Sequence, residues 1–317
     1  MPRILLKKAD EYCIIRLSPI SGLERKMTVR RFAVLTDSAC DLPEELARQH
    51  HIDILCLKIA LDGVGYTERV DFTPEQFSEM LRHSDGIPTT SQVTQFEFFD
   101  QFEAYDRDGV EEVLYISINA TGSATNANAH AAAAQFREEH PDSRMTITIV
   151  DSHSYSVTYG LACCRASEML SQGKTMDEVV AWLEDHFARL ELVLTAYTLK
   201  VIRRSGRVSA AAAFAGDLLG IHPVFTLIDG VSKVVKKVRG DRMVMASVVG
   251  HCKSHMVPGT PYYIGYTNPK YGPEYAKAAE ESIGYPPSGM FHLGCAVCSN
   301  TGPEAAAMLY EGEKRER

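Results

Sequence analysis

The first half of the chain changes hydrophobic period again and again, and that alternation restricts the possible folds more than any other feature. RRFAVLTD (Arg30 to Asp37), IDILCLKIAL (Ile52 to Leu61), EEVLYISI (Glu111 to Ile118) and MTITIVD (Met145 to Asp151) are aliphatic runs that read as strands. Between and after them, helix-like spacing covers Pro43 to His50, Thr73 to Arg82, Phe96 to Tyr105, Ser123 to Glu139 and Thr158 to Gln172. Strands separated by helices have the long crossovers that parallel pairing requires. The pattern predicts an α/β unit, a parallel sheet with helices on both faces.

After Gly173 the character shifts. A helix is expected over Met176 to Leu190, a strand at LVLTAY and a short basic helix, then a hairpin turning at Asp229-Gly230. PYYIGYT, a helix from Pro273 to Ile283, a strand through MFHLGCAVC and a closing helix from Pro303 to Tyr310 complete an α+β pattern. The expected division is an extension over 1–30, in which Met27 is an alternative start, an α/β domain over 31–173 and an α+β domain over 174–317.

Composition and absent motifs narrow the function. The 317 residues are 45% hydrophobic and 23% charged, an ordinary globular balance. A net charge of −8 argues against a general nucleic-acid binder. No apolar run is long enough for a membrane span, and the apolar pieces near the start are too interrupted for a signal peptide. The eight cysteines are scattered, which suits reduced thiols in the cytoplasm. Cys295 and Cys298 have the one paired spacing, but no second pair accompanies them, and no metal or cofactor is expected. Phosphate-loop, dinucleotide, zinc-protease and nucleophile-elbow motifs are missing.

Polar stretches fall where strands end, the usual place for ligands in open α/β sheets. Thr36 to Pro43 follows the first strand; there Asp37 and Ser38 can tie the turn and Asp41 can cap the next helix. IPTTSQ (Ile87 to Gln92) is rich in hydroxyls and amides yet carries no charge, which suits either a capped helix start or hydrogen bonding at a dry site. Asn119 to Thr125 precedes an Ala-rich helix, so Ser123 is either a plain N-cap or part of an anion site. Asp151-Ser152 ends the fourth strand. Lys200, Arg203, Arg204 and Arg207 cluster in sequence, as solvated faces, an anion site or a docking surface. Asn300 to Pro303 reads as another helix start.

In order and spacing, AVLTDSACDLP, IPTTSQ, ISINATGSAT, IVDS, IRRSGRVS and SNTGP resemble the motifs of the DegV family, fatty-acid-binding subunits that serve bacterial fatty acid kinases. The resemblance runs from about Arg31 to Glu311. It implies one long-chain fatty acid clasped between the two domains, with Thr90 on its carboxylate and Ser123 as the second hydroxyl partner. It also implies that Arg207 and Asn300 complete the polar network. Any phosphorylation would be the work of a partner kinase, so the chain itself is expected to have no stand-alone catalytic activity. Val93 stands where the family has Pro, Ala124 where it has Gly, and Asn119 and Ala120 where it has Ser. Asn300 stands where it has His, and Asn cannot become cationic near neutral pH.

The physical chemistry suits such a ligand. A buried carboxylate is costly without donors. Burying a dozen methylenes at ~0.8 kcal/mol each yields on the order of 10 kcal/mol before association costs. The rival reading is an enzyme acting on a small phosphorylated or carboxylate substrate, with Asp37 among its catalytic groups.

Overall fold

The structure is a computed structural model that describes residues 32–213 and 220–316. The expected extension over 1–30 lies outside the described residues. Strand β1 (Phe32–Asp37) leads through a single 3₁₀ turn to α1 (Glu44–Gln49) and β2 (Ile52–Leu55). There follow β3 (Lys58–Leu61), β4 (Val64–Thr67), α2 (Pro74–His83), β5 (Thr89–Ser91), α3 (Gln95–Arg107) and β6 (Glu112–Ser117). The first half ends with α4 (Thr125–Glu139), β7 (Thr146–Asp151), α5 (Val157–Ser171) and α6 (Met176–Phe187).

The expected parallel sheet is present, in the order β2-β1-β6-β7 with every pair parallel. Val113 to Ile116 of β6 are all fully buried, so both faces of the sheet's centre are covered. On one side Phe98 of α3 meets Tyr115 edge-on at 4.9 Å. Helices α2, α3 and α6 each begin with a Thr capping box, which fixes where those helices start.

One expected strand is two. IDILCLKIAL breaks at Cys56-Leu57: β2 pairs with β1, whereas β3 joins a separate antiparallel sheet between β4 and β5. The break follows from where the Leu57 backbone bonds go. Its N–H donates to Ser38 Oγ at 2.9 Å and its carbonyl accepts from Glu68 N, so neither is left for a strand partner. The IPTTSQ stretch is likewise no simple loop, since Thr89 to Ser91 pair with β3.

The second half comprises β8 (Leu190–Ala196), α7 (Ile202–Ser205), β9 (Ile221–Ile228), β10 (Val231–Arg239), α8 (Asp241–His255) and β11 (Tyr262–Tyr266). It closes with α9 (Tyr271–Ile283), β12 (Gly289–His292), α10 (Cys295–Thr301) and β13 (Ala305–Glu311). These form a mostly antiparallel sheet in the order β10-β9-β8-β13-β11-β12. The Asp229-Gly230 hairpin is as expected, and both residues have positive φ.

Two sequence expectations are corrected here, and two further features emerge from the packing. Val179, Leu183 and Phe187 of α6 are buried in the first core, so α6 packs with the first half although it follows residue 173. Residues 241–255, for which the sequence reading assigns no element, form α8. The CAVC stretch is helical rather than a strand, because Cys295 and Cys298 recur at helical spacing against the apolar cluster of Ile59, Phe77 and Leu81. The closing helix is instead β13: its alanines favour helix, but antiparallel pairing with both β8 and β11 overrides that propensity.

Candidate functional site

The inner face of the second sheet builds one wall of a slot between the halves. On β8, Leu192 and Leu194 alternate with Val193, which faces the cluster under α8. On β13, Ala305 and Ala307 share the inner face, while Ala306 and Met308 lie on the other. Ala307 is paired directly with Leu194, and its small side chain leaves depth where a larger residue would fill the gap. Leu192, Leu194, Leu227 and Ala307 face Leu57 and Ile118 of the first half. About 90 Å³ of the slot is free to the centre of a water-sized sphere, and about 890 Å³ lies between its atoms when the open mouth is included.

All four residues expected at the head group line this one slot: Thr90, Ser123, Arg207 and Asn300. Thr90 sits in β5 and is half-buried, while its strand neighbours Thr89 and Ser91 are exposed on the opposite side. Ser123 is half-buried just before α4. It is not the N-cap, which is Ala124, but its Oγ lies 2.8 Å from Thr125 Oγ1 and 3.3 Å from Thr125 N. Arg207 is exposed, and its Nε donates to the Gly122 carbonyl at 3.2 Å. Of the basic cluster only Arg207 reaches the slot; Lys200 instead faces Asp85 at 3.6 Å.

Asn300 arrives differently from the expectation. It lies in the last turn of α10 and precedes a strand, so it is not at a helix start. The end of a helix presents carbonyls rather than free N–H groups. One amide hydrogen of Asn300 is spent on Ala296 O at 2.8 Å. Helix α10 carries Asn300 to the Thr90 side because Cys295 and Cys298 seat it on the small β3-β4-β5 sheet and α2.

Gln92 of the IPTTSQ stretch also lines the slot, as does Tyr155, which the sequence reading missed. The Tyr155 hydroxyl accepts from Asn119 Nδ2 at 2.8 Å, and burial, first among its influences, holds its phenol above the ordinary range. Its signal was its place three residues after the Asp151-Ser152 strand end.

The carboxylates near β1 are structural in geometry. Asp37 is fully buried and accepts from Ala39 N, Tyr115 OH, Ile118 N and Tyr159 OH. Burial raises its pKa despite those four donors. Asp41 does not cap α1, whose N-cap is Pro43; it accepts from Ser156 Oγ at 2.6 Å. Its other oxygen lies against Gly294, where a Cβ would collide with it, so glycine is required for this approach. Glu68 accepts from Ser38 Oγ and, at 2.8 Å, from Ala296 N. Burial pushes Glu68 up to about 7 and Asp41 well above the usual carboxylate range, in Asp41 with the Glu68 charge as second cause.

Cys295 and Cys298 are buried and free; burial pushes the Cys298 thiol up to about 12, and its Sγ lies 3.5 Å from Ser78 Oγ. Among the described residues no group of three or more His, Cys, Asp or Glu side chains is arranged to hold a metal. No helix among them is long and apolar enough to cross a membrane.

A model of the DegV family, described as uncharacterised proteins, matches residues 31–313. The chain belongs to the DegV family. A DegV domain-containing protein of Clostridium perfringens is 34% identical over 204 residues, 63% of this chain and 68% of its own. A solved DegV structure from Thermus thermophilus, described as fatty-acid binding, is 25% identical with a TM-score of 0.76. The match covers 89% of this chain and 99% of that one. A stearic-acid-binding protein from Eubacterium ventriosum has a TM-score of 0.80 at 23% identity, over 89% of this chain and 98% of its own. At that identity the likeness bears on the fold alone: a parallel-sheet first domain and a separate sheet-and-helix second domain.

Proposed function

We propose that the slot binds one long-chain fatty acid, its chain along the β8–β13 wall and its carboxylate at the Thr90, Ser123, Arg207 and Asn300 end. The observation that supports this reading is that those four residues, from four separate motifs, all line one mostly apolar slot. Fatty-acid binding in the Thermus thermophilus relative supports it. Thr90 and Ser123 supply hydroxyl donors without a fixed charge, and Arg207 adds a cation at the exposed mouth.

The bound acid is then presented to a partner fatty acid kinase, which forms the acyl phosphate, and the chain itself has no stand-alone activity. The family resemblance supports this step. A cytoplasmic setting accords with seven buried cysteines among the described residues. The domain division that fits the packing is 32–187 and 188–316, with α10 crossing back onto the first. The rival enzymatic reading finds little support at Asp37, which is enclosed by its four donors and is not part of the slot wall.

Organic extraction of the purified protein, followed by mass spectrometry, tests the reading. One equivalent of a long-chain acid is expected. A protein that carries no acid and, once delipidated, takes up none from solution would sink it.

A further inference from the structure

The walls of the slot continue past its floor. On β8, Leu194 and Leu192 face the slot, and Leu190, two residues back on the same face, lines a second cavity. On β13, Ala307 faces the slot and Leu309 the second cavity. Leu192 and Leu309 are direct cross-strand partners, so one member of a single pair looks into each space. The opposite wall runs on in the same way: Tyr155 and Ser156 line the slot, and Thr158 and Leu161 of α5 line the second cavity. Two residues of strand advance about 7 Å, so the two spaces are neighbours divided by one layer of side chains.

The second cavity encloses about 570 Å³ including its mouth. Its apolar surface comes from Leu161, Trp182, Leu190, Tyr263 and Leu309. Leu161, Trp182 and Tyr263 are packed against the two cores but only partly buried, so part of their apolar surface faces this cavity. Arg165, His186 and Glu311 lie around it, so the apolar part ends in a charged rim.

We propose that this second cavity is the far end of the acyl slot, and that Leu161 and Leu309 set the chain length the protein accepts. The proposal rests on the fatty-acid reading above. A shorter acid stops at the Leu192–Leu309 pair. A longer one displaces Leu161, a half-exposed side chain with other rotamers open to it, and lays its last methylenes between α5 and the sheet.

Trp182 is the only tryptophan in the chain, and it lines the second cavity. Its emission therefore reports entry there without a label. Delipidated protein is titrated with lauric, palmitic, stearic and behenic acids, reading affinity by competition with a fluorescent acid and Trp182 emission directly. Affinity is expected to rise by about fourfold per added methylene until the chain end meets the rim. Only the longer acids should shift Trp182 emission. Leu161→Phe fills the second cavity from its half-exposed side; it should weaken behenic acid by about tenfold, leave lauric acid unchanged and abolish the emission shift. Leu309→Val should do the reverse and favour the longer acids. The inference is overturned if every acid binds with Trp182 emission unmoved, or if Leu161→Phe weakens all chain lengths alike while the protein stays folded by circular dichroism. Failure of the wild type to bind any of the acids would overturn the fatty-acid reading itself, and this inference with it.

Discussion

Two seams join the halves of the molecule on either side of the slot, and they are built in opposite ways. On the inner side Ser38, Asp41 and Glu68 of the first half meet Gly294 and Ala296 at the start of α10, and every one of these side chains is buried. At the mouth the exposed Arg207 reaches the Gly122 carbonyl. The Asp229-Gly230 turn rests on Asn119 and Thr121 so closely that a Cβ at Gly230 would collide with Asn119. Exposed hydrogen bonds exchange with water at little net cost, whereas a buried acceptor that loses its donor forfeits the full desolvation energy. The inner seam is therefore the costlier of the two to break, and the exposed Arg207 contact the cheaper.

Breaking the inner seam should have the largest effect. Glu68→Ala leaves Ser38 Oγ and Ala296 N without their acceptor, and a loss of about 3 kcal/mol in urea unfolding is expected. Wild-type-like stability would mean that the seam contributes nothing.

The same seam should carry a pH signature. Glu68 holds its proton in the folded protein up to about 7, against 4.5 for an ordinary glutamate. Below the ordinary value both states are protonated and nothing is lost. As pH rises toward about 7 the unfolded chain ionises first, and folding loses up to about 3 kcal/mol, with Asp41 acting in the same direction. Glu68→Gln mimics the protonated form and should flatten that part of the curve. Parallel stability profiles of the two proteins between pH 4 and 8 (roughly the span of the two values) would count against this account.

The space between the seams can be filled. Ala307→Phe projects into the slot opposite Leu57 and Ile118, and loss of even a few buried methylenes predicts about a hundredfold weaker fatty-acid binding. Calorimetric titration gives the answer, and an unchanged affinity would place the chain elsewhere. On the mouth side, Thr90→Ala and Ser123→Ala should each cost about 1–3 kcal/mol of binding with the fold intact, since each removes one donor from a carboxylate. Unchanged affinity in the double variant would remove the hydroxyl clamp. The smallest effect belongs to the mouth seam itself. Arg207→Ala should alter thermal stability by no more than about 1 kcal/mol, because its hydrogen bonds are exposed. A larger loss would erase the contrast between the seams.

Much of this was legible in the sequence where one local period dominated. The parallel sheet and the Asp229-Gly230 hairpin follow from short-range patterns. The failures came where a distant partner decided: Ser38 and Glu68 take the Leu57 backbone, and β8 and β11 turn an Ala-rich run into a strand. Thr90 and Ser123 stood out as candidates because IPTTSQ and NATGSAT are polar yet carry no charge. The apolar wall was not, since Leu192 and Leu194 alternate as they would on any half-buried strand. Asn300 was named as a site residue, yet its setting at a helix end was hidden by the same misreading that made CAVC a strand.

Strand β13 gives the molecule a particular order of assembly. It is drawn from residues 305–311 but lies between β8 and β11, whose residues are made much earlier. On a ribosome the parallel sheet of the first half can form while the second half is still emerging, because all four of its strands precede α6. Strands β8 and β11 meanwhile wait with unpaired edges, and the wall of the slot is missing its middle. The wall of the slot is thus the last part of the protein to exist, and a chain truncated before Ala305 would present two open, apolar strand edges in its place.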